Sequence, residues 1–348
     1  MESSAGLDEV SQAASAHVSI SVAICTCDRG ARIVEAVRSI LAAGGGYEEL
    51  IVVDQSSTLE THDALASFIA QGVVRWIPSG TRGSGRSRSI ALEAAASDLV
   101  AFTDDDCSVL PGWLEAHTRV LTEFPDVAVS YGAVLPAEHD ETSGYIPDYA
   151  IVASKRCGSL RDRMNARGIG ANFAVRRQAI LEIGGFDPCL GAGAKYFSAE
   201  DRDLTLRCFF AGLGVYECAE SQVMHDGFRG WSHGRRHTSN DWFGLGAVFA
   251  KPLRAGRLAA LPYLLHEFVR FALLPFLLAL PTPAKQKGFM RIQAFLAGFA
   301  RGWSAPMDRA RILFKAEVEM PPSIEFKLEF PRDVVCWEKG EAYPSAGE

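Results

Sequence analysis

Leu99–Leu114, LVAFTDDDCSVLPGWL, runs from four apolar residues almost directly into three adjacent carboxylates, Asp104, Asp105 and Asp106. An apolar run of this length suits a buried strand, and a buried strand does not keep three bare charges in its interior. The aspartates are therefore expected where the strand leaves its sheet. In open α/β sheets that carboxyl edge is where ligands bind. Side chains alternate along extended backbone, which puts Asp104 and Asp106 on one side and Asp105 on the other. Two converging carboxylates suit a hard divalent cation, Mn2+ or Mg2+, shared with the phosphates of a ligand. The competing reading is a solvated acidic turn that caps the next helix.

Upstream, β and α patterns alternate. Val18–Thr26 (VSISVAICT) reads as a central strand broken by Cys27-Asp28-Arg29-Gly30, and Ile33, Val34, Val37, Ile40 and Leu41 recur at helical spacing. Glu49–Val53 is a second strand, followed by a helix over Thr58–Ala70 and a third strand over Val73–Ile77. This alternation predicts a parallel, doubly wound sheet with four strand ends at one edge. Asp54 closes one of those strands, where it can accept hydrogen bonds from a ribose or base, or cap a helix. The loop GTRGSGRSRSIA (Gly80–Ala91) lacks a Walker lysine, but Gly83 permits close backbone approach. Its arginines can fork onto phosphate oxygens or pair with the aspartates, and Asp105 is expected to take one from Gly83–Arg88.

Downstream, Asp126–Leu135 reads as a strand and Pro136–Arg167 as a long irregular connection. Leu204–Phe210 is an apolar helix stopped by Gly212 and Gly214, with Glu200 and Asp201 at its start, where the dipole favours negative charge. His225 stands beside Asp226 after a strand-like VYECAESQV. In WSHGRRH (Trp231–His237), His233 and His237 have zinc-like spacing, but Gly234 and two arginines favour a basic, phosphate-binding patch. Leu261–Leu280 is apolar enough to suggest a span, yet His266, Glu267 and Arg270 interrupt it, and a central charge costs about 2.5–3.5 kcal/mol on insertion scales. Residues 241–303 are read as amphipathic helices lying on a membrane or forming an interface, a homodimer among the possibilities, with a plain buried core or a true span as the alternatives.

The chain has 348 residues, 48% of them hydrophobic, with a net charge of −7. That composition supports a large core, and the acidic balance excludes general nucleic-acid binding. Eight cysteines without a CxxC pair read as reduced, buried thiols of a cytoplasmic protein. The first 17 residues lack the basic start and apolar core of a secretory signal and read as a disordered tail.

Taken together, SVAICTCDR, IVVDQSS, GSGRSRSIALEAA, FTDDDCSVLPGWL, GANFAVRR, IGGFD, AEDRDLTLRCFFAG and VMHDG resemble, in order and spacing, the inverting family 2 glycosyltransferases. The resemblance covers about Ser19–Gly227 and implies an α/β GT-A fold, a Rossmann-like doubly wound, mostly parallel sheet. It implies a catalytic domain over 18–230, with a nucleotide-sugar half (18–135) and an acceptor half (136–230). A helical region over 231–315 and a tail over 316–348 would follow. Thr26, Asp28 and Arg29 would lie under the nucleotide, with Asp54 on its base or ribose and Gly83 and Arg88 near the diphosphate. Asp104 and Asp105 would contact the nucleotide sugar, and Asp104, Asp106 and His225 would hold Mn2+ or Mg2+. Asp201, beside Glu200, would be the general base.

The implied donor is a UDP-, GDP- or dTDP-sugar and the acceptor a hydroxyl, and the apolar C-terminal helices suggest that this acceptor is a glycan or lipid-linked precursor met at the inner face of the cell membrane. Ser87 and Ser89 flank Arg88 where the family usually has alanine and asparagine, and no QxxRW motif marks a processive synthase. A sugar-nucleotide pyrophosphorylase would want a lysine-bearing glycine-rich loop near the N-terminus, which is absent. A non-catalytic nucleotide-sugar scaffold is the other alternative, and the intact Asp104, Asp106, Asp201 and His225 weigh against it.

Overall fold

The computed structural model describes residues 19–280 and 285–316; the tail assignments over 1–17 and 317–348 lie outside the described residues. Leu99–Asp104 is β4, with all but the terminal aspartate buried. The strands before it are β1 (Ile20–Thr26), β2 (Glu49–Asp54) and β3 (Arg75–Pro78). Between and after them run α1 (Ile33–Ala42), α2 (Glu60–Ala70) and α3 (Ser84–Ala94). Chain order continues with β5 (Cys107–Val109), α4 (Trp113–Glu123) and β6 (Val127–Pro136). The long connection that follows holds β7 (Gly144–Tyr145), β8 (Lys155–Arg156) and α5 (Leu160–Asn165). Then come β9 (Asn172–Arg176), α6 (Arg177–Glu182), α7 (Glu200–Phe210) and β10 (Gly214–His225).

The sheet order is β3-β2-β1-β4-β9-β6-β10-β5, with β8 on the side of β10. The first four strands pair in parallel, as the βα alternation requires. β9 departs from that expectation: it is antiparallel to both β4 and β6. The connection over 137–171 makes no crossover to the other end of the sheet, so β9 starts at the carboxyl edge where β6 ends and runs the opposite way. β6 and β10 are mutually parallel and regain the original direction. Their carboxyl ends therefore reach the same edge as those of β1 and β4. Antiparallel pairing of β5 with β10 sets Cys107 opposite His225, so the acidic turn and the histidine are brought together by backbone register.

Alternation puts successive strand residues on opposite faces. Ile20, Val22, Ile24 and Val52 pack with Ile33, Val37 and Ile40 of α1 and with Trp113 and Val120 of α4. Ala23, Val53, Val100 and Phe102 face the other way, against Leu92 of α3 and Leu204 and Leu206 of α7. That second layer continues into α8 (Trp231–Arg254), through Trp242, Val248 and Phe249.

α9 (Leu261–Phe268), a π-helical turn at Val269–Leu273, α10 (Leu274–Leu278) and α11 (Lys285–Ser304) complete the helical region. Leu258–Leu278 is long and apolar enough, by length and composition, to cross a membrane. Glu267, which seemed to interrupt the run, is fully buried and ion-paired with Arg167 and Arg202. Lys251 of α8 lies 2.5 Å from both Asp187 and Asp203, all of them buried, and Arg207 closes on Asp203 at 2.8 Å. No disulfide links the described cysteines, most of which are buried.

Candidate active site

A cleft of about 300 Å³ opens at the shared carboxyl edge and is lined by Thr26, Arg29, Gly83, Arg88, Asp104–Asp106, Glu200, Asp201 and His225. The acidic triplet divides its partners. Asp105, buried in the cleft lining, accepts a 2.6 Å hydrogen bond from Thr26 and pairs with Arg29 at 3.4 Å. Burial pushes its carboxyl up to about 7 against the pull of Arg29. Its arginine thus comes from the end of β1 and not from Gly83–Arg88, because β1 and β4 are neighbouring strands.

Asp106 lies 3.1 Å from Arg29 Nη2 and 3.4 Å from His225 Nε2. Burial would raise its carboxyl, but the His225 hydrogen bond and the Arg29 charge hold it well below the usual range. His225 Nδ1 sits 2.8 Å from the Pro147 carbonyl. A carbonyl only accepts, so Nδ1 carries a proton; Nε2 donates to Asp106 when the ring is protonated, which Asp106 favours, and offers a ligand lone pair once that second proton is lost. Asp106, Cys107 and His225 each offer a ligand atom, all within 4.8 Å of one another. Burial keeps the Cys107 thiol protonated, so the donor set left to a hard cation is carboxylate and imidazole, which fits Mn2+ or Mg2+. Asp104 stands outside that cluster and gives one oxygen to Arg88 at 3.2 Å.

Arg88 is the hub of the cleft. Its Nη1 pairs with Glu200 at 2.7 Å, and its Nη2 also donates to the Gly170 carbonyl at 3.1 Å. A Cβ at position 170 would overlap this guanidinium, which is why glycine stands there. Arg88 is 4% exposed, so its charge is spent on Asp104 and Glu200. Ser84, on the first turn of α3, adds a 2.8 Å bond to Glu200, and Gly83 makes that turn at φ +114°.

Asp201 accepts the Gly170 amide at 3.2 Å and the Arg202 amide at 2.7 Å. Burial and the neighbouring Glu200 charge push its carboxyl up to about 7. The residue before this pair, Ala199, has φ +73°, and Phe197 has φ +64°. Such left-handed backbone is costly for these side chains and is characteristic of built sites.

Two candidates sit behind the cleft wall. Asp54 accepts the Ser56 amide at 2.9 Å and Trp76 Nε1 at 3.1 Å, so it closes the turn after β2, while its neighbour Gln55 lines the cleft. Asp28, at φ +55°, accepts from the Ser57 amide at 2.7 Å and pairs with Arg82 at 2.9 Å. Arg82, from the arginine-bearing loop, also lines the cleft, and Asn240 and Asp241 do so without a local sequence signal, since α8 reaches it only through tertiary packing. His237 also lines it, whereas His233 is exposed.

Residues 21–184 match the family model described as glycosyl transferase family 2. The glucosyl-dolichyl phosphate glucuronosyltransferase of Haloferax volcanii is 27% identical over 214 residues, covering 60% of this chain and 66% of the relative. A pre-mycofactocin glycosyltransferase of Mycobacterium tuberculosis is 28% identical over 185 residues, covering 51% and 37%. This chain thus spans from about a third to just under two thirds of those relatives' length. Among solved structures, Staphylococcus aureus TarS residues 1–349 align at TM-score 0.59 and 15% identity, over 82% of this chain and 81% of that one. The mannosyltransferase PcManGT of Pyrobaculum calidifontis, crystallised with GDP-Man and Mn2+, aligns at TM-score 0.54 and 16% identity, over 82% and 87%. The sheet order and these solved structures give the chain a GT-A fold, and residues 21–184, just under half of it, are similar to glycosyl transferase family 2.

Proposed function

We propose that the protein transfers a single sugar from a nucleotide-diphosphate sugar to an acceptor hydroxyl, with inversion. The observation that carries this reading is the placement of Asp201, a half-buried carboxylate pushed up to about 7 by desolvation and the Glu200 charge, in the same cleft as Asp106 and His225. Asp201 takes the acceptor's hydroxyl proton, the new bond forms from that oxygen to the anomeric carbon, and the carbon–phosphate oxygen bond breaks toward the diphosphate. One displacement by one base inverts the centre, and such a base contributes about 10²–10⁴-fold. Asp106 and His225, with Asp104 beside them, would hold Mn2+ or Mg2+, which supplies charge neutralisation at the departing diphosphate. Arg88 keeps Asp104 and Glu200 in register across the cleft.

The acceptor is lipid-linked in this reading, and the protein works peripherally at the inner face of the membrane. Leu265, Val269, Leu274, Leu277 and Leu278 are all exposed on the α9–α10 segment, an apolar surface suited to interfacial burial. Glu267 ties that segment back to the catalytic domain. The name of the Haloferax relative, with its dolichyl phosphate-linked substrate, points the same way.

A screen of nucleotide sugars for metal-dependent nucleoside diphosphate release tests the enzyme assignment. Wild type is expected to turn over at least one donor, and Asp201→Asn to bind it while losing about 10²–10⁴ in rate. Undiminished turnover in the variant removes Asp201 as the base. Absence of any donor binding with Mn2+ or Mg2+ removes the assignment itself.

A further inference from the structure

A second cavity, of about 280 Å³, shares Ser198, Asp201 and Asp241 with the donor cleft and is otherwise lined by Arg167, Arg202, Arg291, Trp242 and Phe271. Its chemistry differs from that of the donor cleft: three guanidiniums and two aromatic rings meet Asp201 and Asp241. Arg291 makes no ion pair among the described residues. It donates from Nη1 to the Phe271 carbonyl at 2.9 Å and lies 5.7 Å from the Trp242 ring centroid. Arg167 stacks over Phe271 at 4.3 Å. The buried Nε atoms of Arg202 and Arg291 have no hydrogen-bond partner.

Glu267 serves Arg167 and Arg202 together, so a single carboxylate faces two guanidiniums. Burial and the repulsion of Arg167 lower Arg202 to about 10, and burial lowers Arg167 and Arg291 as well. Arg291 has no ion pair among the described residues, and the buried Nε groups of Arg202 and Arg291 are left without an acceptor, so the cavity holds cationic donors that an added anion can engage. Planar guanidiniums favour phosphate, which they bind through paired hydrogen bonds.

The geometry points to this cavity as the acceptor subsite for a lipid-linked sugar phosphate, its phosphate held by Arg167, Arg202 and Arg291 while its sugar hydroxyl meets Asp201. The inference rests on Asp201 being the base of the proposed transferase. A base is needed for a hydroxyl nucleophile, since a phosphate oxygen is already ionised, so the phosphate belongs among the arginines and not at Asp201. The lipid follows from the cavity wall. Phe271 belongs to the same helical segment whose Leu265, Val269, Leu274 and Leu277 are exposed. An apolar chain leaving the phosphate therefore has a surface to lie along, continuous with the one proposed to meet the membrane.

Calorimetric titration of the whole protein with farnesyl phosphate, farnesol and inorganic phosphate tests this, with nucleoside diphosphate binding as the control for an intact fold and donor cleft. Wild type is expected to bind farnesyl phosphate at least tenfold more tightly than either of the other probes. Arg291→Ala and Arg167→Gln are each expected to lose at least tenfold for farnesyl phosphate with nucleoside diphosphate affinity unchanged. Equal binding of farnesol overturns the phosphate assignment, and equal binding of inorganic phosphate overturns the lipid. Failure of farnesyl phosphate to bind, or binding indifferent to both substitutions, overturns the subsite. Loss of this result with nucleoside diphosphate still bound leaves the transferase reading standing, whereas failure to bind any nucleotide strikes that reading instead.

Discussion

Asp201 couples chemistry to pH at the scale of one residue. Its carboxyl is pushed up to about 7 by burial and by Glu200, and a base acts only when ionised. Below about 7 the turnover rate is expected to fall tenfold per pH unit, and above it to level off; a pH profile with saturating donor checks this. A profile flat down to pH 5 would assign proton removal elsewhere. Gly170 makes a second residue-scale case. Gly170→Ala puts a methyl group into the Arg88 guanidinium, which cannot move without releasing Asp104 and Glu200. Overpacking of this kind costs about 1–3 kcal/mol, and the expected readout is a lowered melting temperature together with at least tenfold lower turnover.

Between elements, two polar and steric devices hold the site's walls in place. Asn172 opens β9 and joins four groups: it donates to Ala133 and Ser221 carbonyls and accepts from Trp113 Nε1 and His117 Nε2, at 2.8–3.1 Å. Asn172→Leu strands these partners in the core, each at about 1–3 kcal/mol. Denaturant unfolding is expected to show a loss of about 3 kcal/mol or more. α8 and α11 meet through glycines, since a Cβ at Gly298 would overlap the Phe243 carbonyl and one at Gly246 the Phe295 carbonyl. Gly298→Val is expected to separate the helices and lower stability by about 1–3 kcal/mol, measured as a shift in denaturation midpoint. Because Trp242 and Arg291 sit on these two helices, acceptor turnover should fall more than donor binding.

For the whole molecule, the question is how a cleft at the sheet edge meets its surroundings. The exposed leucines of α9–α10 lie on a segment anchored by buried Glu267. Exchanging Leu265 and Leu277 for glutamate is expected to abolish sedimentation with phospholipid vesicles while nucleoside diphosphate binding is retained. Unchanged sedimentation would move the membrane contact away from this surface. Leucine, alanine and phenylalanine periodicity marked residues 241–303 as amphipathic, but it left open whether the polar interruptions faced water. Tertiary packing answers for Glu267, which turns inward to Arg167 and Arg202.

How much of this was legible from residues alone follows their separation along the chain. β4 and its three aspartates, the helix opening at Glu200 and the βα alternation are encoded by periodicity over a few neighbouring positions. Those features suffice for the fold class and for singling out Asp104 and Asp106, whereas Asp201 and His225 were named through the resemblance carried by the motifs in order and spacing. Only the tertiary structure inserted β9 antiparallel, gave Arg29 to Asp105 and set Arg88 between Asp104 and Glu200. It alone turned Asp54 into a turn-closing residue and gathered Arg167, Arg202 and Arg291 around one cavity. Such pairings join residues whose approach depends on strand order and helix packing, and no local pattern of hydrophobicity or charge encodes which distant partner a side chain will meet.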